Sequence, residues 1–180
     1  MVPGPRALGA GRTTHDAGVR SPDPQETPMS SQPSTAPGRV VVGVDGSNSS
    51  VAALRWAARV GGALGLEVDA VTSWEYPASY GLAGAVGGWN PEVDAGAVLA
   101  HAVETAFDGA GLAGLRSHVL RGHAAQVLLE ASHHAELLVV GSRGHGGFTG
   151  LLLGSVSTQC AEHAHCPVVV VHEHGDQPVT

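Results

Sequence analysis

The chain has 180 residues, 26 of them glycine and 11 proline, with Lys+Arg 9 against Asp+Glu 16 and a formal net charge of -7. Every cation is an arginine, which excludes a P-loop lysine, a Schiff-base lysine and a lysine charge relay. An acidic chain with so few cations also matches the phosphate backbone of DNA or RNA poorly, so no nucleic-acid partner is expected. Residues 1–38 hold seven of the prolines (3, 5, 22, 24, 28, 33 and 37) among Gly, Ser and Thr, with almost nothing bulky. Such a segment buries too little apolar area to offset its ordering entropy, and it reads as a disordered extension. A docking tail and a wrongly assigned start codon are the other two readings of it.

At Arg39 the pattern changes. Val40, Val41, Val42 and Val44 form a β-branched run that ends at Asp45-Gly46-Ser47, a strand buried on both faces followed by a turn. Ser47, Asn48 or Ser49 then caps a helix over Val51–Leu64, where the apolar residues fall at helical spacing. A second strand follows over Leu66–Trp74, a helix over Val93–Phe107 and a strand over Leu115–Leu120. The remaining pattern predicts a helix over Ala124–His133, a strand over Leu137–Val140, a short helix over Ser157–His163 and a last strand over Val168–Val171. Strands without polar alternation, joined by helices, predict a parallel sheet covered on both faces, a three-layer α/β sandwich. The expected organisation is one domain over residues 39–174, with 1–38 and 175–180 as tails.

The most informative stretch runs from Gly141 to Ser157 and contains Gly144, Gly146, Gly147, Gly150 and Gly154. It begins where a buried strand ends and finishes where a helix begins. Glycines let the backbone approach a ligand closely, and loop amides with the next helix's N-terminus make an anion site. Ser155 and Ser157 add hydroxyls at the helix start, so a phosphate chain is held without lysine. The dinucleotide spacing G-x-G-x-x-G is absent, since Thr149 stands at its last glycine. A flexible connector is the other use of such a run. In an open α/β sheet, however, ligands bind beyond the carboxyl ends of the strands where the order reverses. Asp45 and Gly141 end two such strands.

The spacing Gly141-x2-Gly144-x9-Gly154-Ser155 resembles the nucleotide-binding pattern of the universal stress protein family. The opening run from Val40 to Ser47 and the closing run His165-Cys166-Pro167-Val168-Val169-Val170-Val171 look like that family's first and last strands. The resemblance covers about residues 39–172. It implies a five-stranded parallel sheet in order 3-2-1-4-5, of the Rossmann-like, adenine nucleotide alpha hydrolase-like type, with ATP between strands one and four. Carried over by position, Gly43, Val44 and Asp45 border the adenosine and Val71 packs on the adenine. Val140, Gly141, Ser142, Arg143, Gly144, His145, Gly146 and Gly147 contact the ribose and phosphates. Gly154, Ser155, Val156 and Ser157 wrap the phosphates.

Asp45 suits two roles. Its carboxylate can accept a ribose hydroxyl or hold a Mg2+ that bridges the phosphates, or it can bond the amides of the following turn. Arg143 and His145 suit phosphates or solvent equally. The insertion from Tyr76 to Asn90 is long enough for a lid over the adenine, or for a plain surface loop. Cys160, His163, His165 and Cys166 match no standard zinc spacing, and no metal site is expected there. Two cysteines make no disulfide framework. No stretch approaches the ~18 apolar residues of a membrane span, so no membrane partner and a cytoplasmic location are expected. The last strand is a sheet edge in the implied order, and pairing of two copies through Val168–Val171 is expected to give a homodimer.

The reading that follows is an ATP-binding regulator of a stress response that offers a nucleotide-dependent surface to a protein partner. Two others stand beside it. A slow ATPase or phosphotransferase lacks a paired carboxylate base and a lysine. A nucleotide-free dimeric scaffold leaves the glycine pattern without a use.

Overall fold

The computed structural model describes residues 38–76, 89–145 and 152–173. Nine elements follow one another: β1 (Arg39–Gly43), α1 (Asn48–Leu64), β2 (Glu67–Trp74), α2 (Pro91–Phe107), β3 (Leu115–Arg121), α3 (Ala124–Ala131), β4 (Leu137–Gly141), α4 (Ser155–His163) and β5 (Val168–Val171). The five strands form one parallel sheet in the order β3-β2-β1-β4-β5, as the resemblance implied. Residues 1–37, 146–151 and 174–180, and most of the Tyr76–Asn90 insertion (77–88), lie outside the described residues.

β1 lies at the centre, paired to β2 with Val42 beside Ala70 and to β4 with Val42 beside Val139. Successive side chains point to opposite faces. Val40, Val42 and Val44 therefore join Val51, Leu54, Ala57, Leu99 and Ala102 under α1 and α2. Val41 joins Val127, Leu128, Leu138, Val140 and Cys160 under α3 and α4. Each valine run has to be apolar on both sides because both sides are covered.

Most differences from the predicted bounds come from caps. α1 starts at Asn48 because the Ser47 side chain accepts the Ser50 N–H. It stops at Gly65, whose φ of 68° lies in the left-handed region that glycine adopts without penalty. Leu66 is not in the strand, because its N–H donates to the Gly61 carbonyl and closes the helix end. α2 starts two residues before its predicted start, with Pro91 in the first turn and Asn90 accepting the Glu92 N–H. α3 ends at Ala131, two residues short of His133, where the Ser132 hydroxyl donates to the Leu129 carbonyl.

β2 departs from the apolar pattern at Asp69, which is buried. Its carboxylate accepts the Arg116 Nε–H at 2.8 Å and lies 3.3 Å from His118 Nε2 and 3.9 Å from Arg39 Nε. Burial opposes its ionisation, but the Arg116 and His118 bonds outweigh that and hold the carboxyl below its ordinary value. β2 and β3 therefore carry a paired charge cluster where an apolar face was expected.

Candidate functional site

The chain builds outward from β1 in one direction through β2 and β3, then in the other through β4 and β5. The reversal falls between β1 and β4, which are hydrogen-bonded neighbours. Beyond their carboxyl ends lies a cavity of about 260 Å³. Gly43, Val44 and Asp45 reach it from the end of β1, and Val71, Thr72 and Ser73 from β2. Val140, Gly141, Arg143, Gly144 and His145 line it from β4 and the turn beyond. Gly154, Ser155, Val156 and Ser157 close it at the start of α4.

Four serines and one aspartate fix this geometry. The Asp45 carboxylate accepts the Ser47 hydroxyl at 2.6 Å and the Ser47 N–H at 3.0 Å with one oxygen. Its other oxygen accepts the His145 N–H at 3.1 Å, a hundred residues along the chain. The Ser49 hydroxyl donates to the Arg143 carbonyl, and Ser47 lies 3.3 Å from the same oxygen. The Ser142 N–H donates to Val171, the Gly154 N–H to the Ser142 carbonyl at 2.7 Å, and the Ser157 hydroxyl to Gly141 at 2.6 Å. The turns after β1 and β4 are thus tied to each other and to the start of α4.

These ties assign roles. Asp45 bonds its own turn and also spans the crevice. Burial disfavours its charge, yet the Ser47, His145 and Ser50 bonds prevail and its carboxyl sits below the ordinary value. Ser157 is buried, and its hydroxyl proton is engaged by Gly141, whereas Ser155 is exposed at the helix start. Ser142 is buried and faces a polar cleft on the far side of the Arg143 turn, together with Ser49 and Glu173. Arg143 borders both spaces. Gly146 and Gly147 lie outside the described residues.

The glycines differ in what they answer to. A Cβ on Gly144 would collide with the Asp45 carboxylate, and one on Gly141 would come within 2.9 Å of the Ser49 backbone. Both are required by the turn-to-turn ties. Gly154 is different. Its φ of -74° and ψ of 164° suit any residue, and a Cβ there would find only ordinary contacts of 3.5 Å or more. The described fold does not itself require glycine at this position, which borders the cavity.

α4 starts with no side chain capping it. The first N–H groups of a helix have no partner within it. Here they border the cavity at Ser155, Val156 and Ser157, with the positive end of the helix dipole. Among the described residues Asp45 is the one carboxylate in the lining and Arg143 the one arginine. Among the described residues no three His, Cys, Asp or Glu side chains converge to hold a metal ion. Cys160 is buried, and burial, with Cys166 nearby, pushes its thiol up to about 11.

The sequence did not single out Ser50, Thr72, Ser73, Ala124 or Leu128, all of which line the cavity. Thr72 and Ser73 were within reach, since they sit at the carboxyl end of a strand beside β1. Ala124 and Leu128 arrive only because α3 folds back across β1, with Leu128 2.8 Å from where a Gly43 Cβ would stand.

The chain has clear relatives. A family model described as the universal stress protein family matches residues 37–172. Universal stress protein Rv2624c of Mycobacterium tuberculosis is 34% identical over 150 residues, covering 78% of this chain and 50% of that protein. The chain thus spans about half the length of the curated relatives it matches. Among solved structures, a universal stress protein in complex with cAMP is 30% identical, with a TM-score of 0.55 over 77% of this chain and 98% of its own. Universal stress protein UspA from Lactobacillus plantarum, at 16% identity, shares the fold with a TM-score of 0.61 over 76% and 99% of the two chains. The sheet order, the reversal at β1 and β4 and the matched length lead to one conclusion: the chain belongs to the universal stress protein family.

Proposed function

We propose that the cavity between β1 and β4 binds ATP and that the chain acts as a nucleotide-dependent regulator in a stress response. The observation that carries this reading is Gly154. At this N-cap of α4 the described fold leaves ordinary room for a side chain, and a phosphate chain passing over the first turn would take that room. The adenosine lies along Gly43, Val44 and Asp45 with its base on Val71, and the phosphates extend past Gly141, Arg143 and Gly144 to Ser155–Ser157. A single carboxylate suits a Mg2+ held mainly by phosphate oxygens and water, with Asp45 as its one protein ligand. Gly146 and Gly147 belong to the same phosphate loop in this reading. Among the described residues the cavity walls hold no second carboxylate to act as a base, and the chain has no lysine, so hydrolysis is slow or absent.

The relative solved with cAMP favours a second reading, in which a cyclic monophosphate fills the same cavity. One experiment separates the two. The purified chain is denatured and the released nucleotide identified, and calorimetry then follows ATP, with and without Mg2+, and cAMP. ATP released or bound more tightly than cAMP supports the first reading. Preference for cAMP supports the second, and no binding of either removes both.

A further inference from the structure

A second cavity of about 550 Å³ opens beside the first and shares Ser73, Ala124, Ser155 and Val156 with it. A ligand lying on the first turn of α4 therefore reaches both without crossing the chain. The first cavity, at about 260 Å³, is smaller than the ~300–1,000 Å³ usual for small-molecule sites, so a nucleotide that extends along α4 outgrows it. The second cavity adjoins it along that same turn.

The walls peculiar to the second cavity include Trp74, Glu75, His123, Gln126 and Gln159. Among the described residues no arginine lines it. A free terminal phosphate entering it meets the Glu75 carboxylate, while Arg121 is set over the Trp74 and Tyr76 rings rather than in the wall. A neutral, hydroxyl-bearing group meets the opposite. Two amides, an imidazole and a carboxylate offer donors and acceptors, with the Glu75 and His123 groups 3.6 Å apart. The Trp74 indole supplies a flat ring that already stacks with a planar cation, the Arg121 guanidinium 5.5 Å over its centre, with the Tyr76 ring packed nearly at right angles 5.4 Å away. Hydroxyls beside a flat ring are the chemistry of a second nucleoside.

We propose that the two cavities together take a dinucleotide. One nucleoside lies between β1 and β4, the bridging phosphates cross the start of α4, and the second nucleoside lies against Trp74, Gln126 and Gln159. The proposal rests on the nucleotide reading of the first cavity.

Calorimetry on the full chain with ATP and with diadenosine tetraphosphate tests it, repeated on the double variant His123→Ala, Gln126→Ala. Both side chains are exposed, and neither lines the first cavity. A few added hydrogen bonds predict that the dinucleotide binds about tenfold more tightly than ATP. The double variant should lose that advantage and keep its affinity for ATP. Equal affinities in the unmodified chain, or an advantage that survives in the double variant, overturn the proposal while leaving the first cavity's reading intact. Failure of both ligands to bind removes the two together.

Discussion

Gly144 and Gly154 look alike in the sequence and answer to different forces. Gly144 is glycine because the Asp45 carboxylate occupies the space a Cβ needs. Gly154 has ordinary room and an ordinary backbone conformation. The two therefore predict opposite phenotypes. Gly144→Ala should lose about 1–3 kcal/mol of stability, the usual cost of forcing a group into a filled space. Gly154→Val should cost only the ~1 kcal/mol of a poor N-cap yet bind ATP at least about tenfold more weakly, because its branches enter the phosphate path. Paired melting curves and calorimetry check both. A Gly154→Val protein with unchanged ATP affinity would sink the assignment of the α4 turn. Asp45 adds a third test at this scale. Asp45→Asn keeps the shape but removes the charge that accepts three donors. With the carboxylate 45% exposed, water takes up part of the loss, so melting should show a cost of only about 1 kcal/mol.

The start of α4 carries a prediction in which stability and binding move apart. Ser155 is exposed in the first helical turn, and the helix has no side-chain cap. Ser155→Glu places a negative charge at the positive end of the dipole and should stabilise the chain by about 0.3–1 kcal/mol. The same charge competes with phosphate and should weaken ATP binding. A variant that is both more stable and a normal binder would show that phosphates do not sit there. Elements of this kind were legible in the sequence wherever burial is symmetrical. The valine runs of β1 and β5 and the helical period of α1 read directly, because both faces of the sheet are covered. Bounds set by a cap did not. Leu66 looks like the first residue of a strand, and only its bond to Gly61 places it in the helix end. The candidate site divides in the same way. Residues contributed by a strand end and its own turn, such as Asp45 and Gly141, follow from local pattern. Leu128 and Ala124 depend on how α3 crosses β1, which no short stretch encodes. Asp69 was missed because its partners, Arg116 and His118, lie on a strand 40-odd residues away.

At the scale of the whole molecule, two carboxyls with lowered values set the acid limit of the fold. Asp69 and Asp45 both ionise more readily in the folded chain than their ordinary 3.8. A lowered carboxyl stabilises the fold fully above its unfolded value and loses that contribution as the pH falls through its folded value. Stability should therefore be level from neutrality down to about pH 5 and decline below about pH 4. Asp69→Asn should flatten the decline and lower the plateau, because Arg116 then keeps only its ion pair with Glu67, 2.7 Å away. Arg116 is half exposed, so water recovers part of the loss and the plateau should fall only modestly. Denaturant melts of parent and variant across pH 3–7 check both features. A parent curve without an acid decline would remove the charge cluster from the stability of the fold. The opposite edge of the sheet makes its own prediction. β5 pairs with β4 alone, and its four valines are each partly exposed. A short apolar edge of this kind is a template for another strand. We expect two copies to associate through Val168–Val171. Size-exclusion with light scattering at micromolar concentration should give twice the mass of one chain, and a single-chain mass would show that this edge is left uncovered in solution.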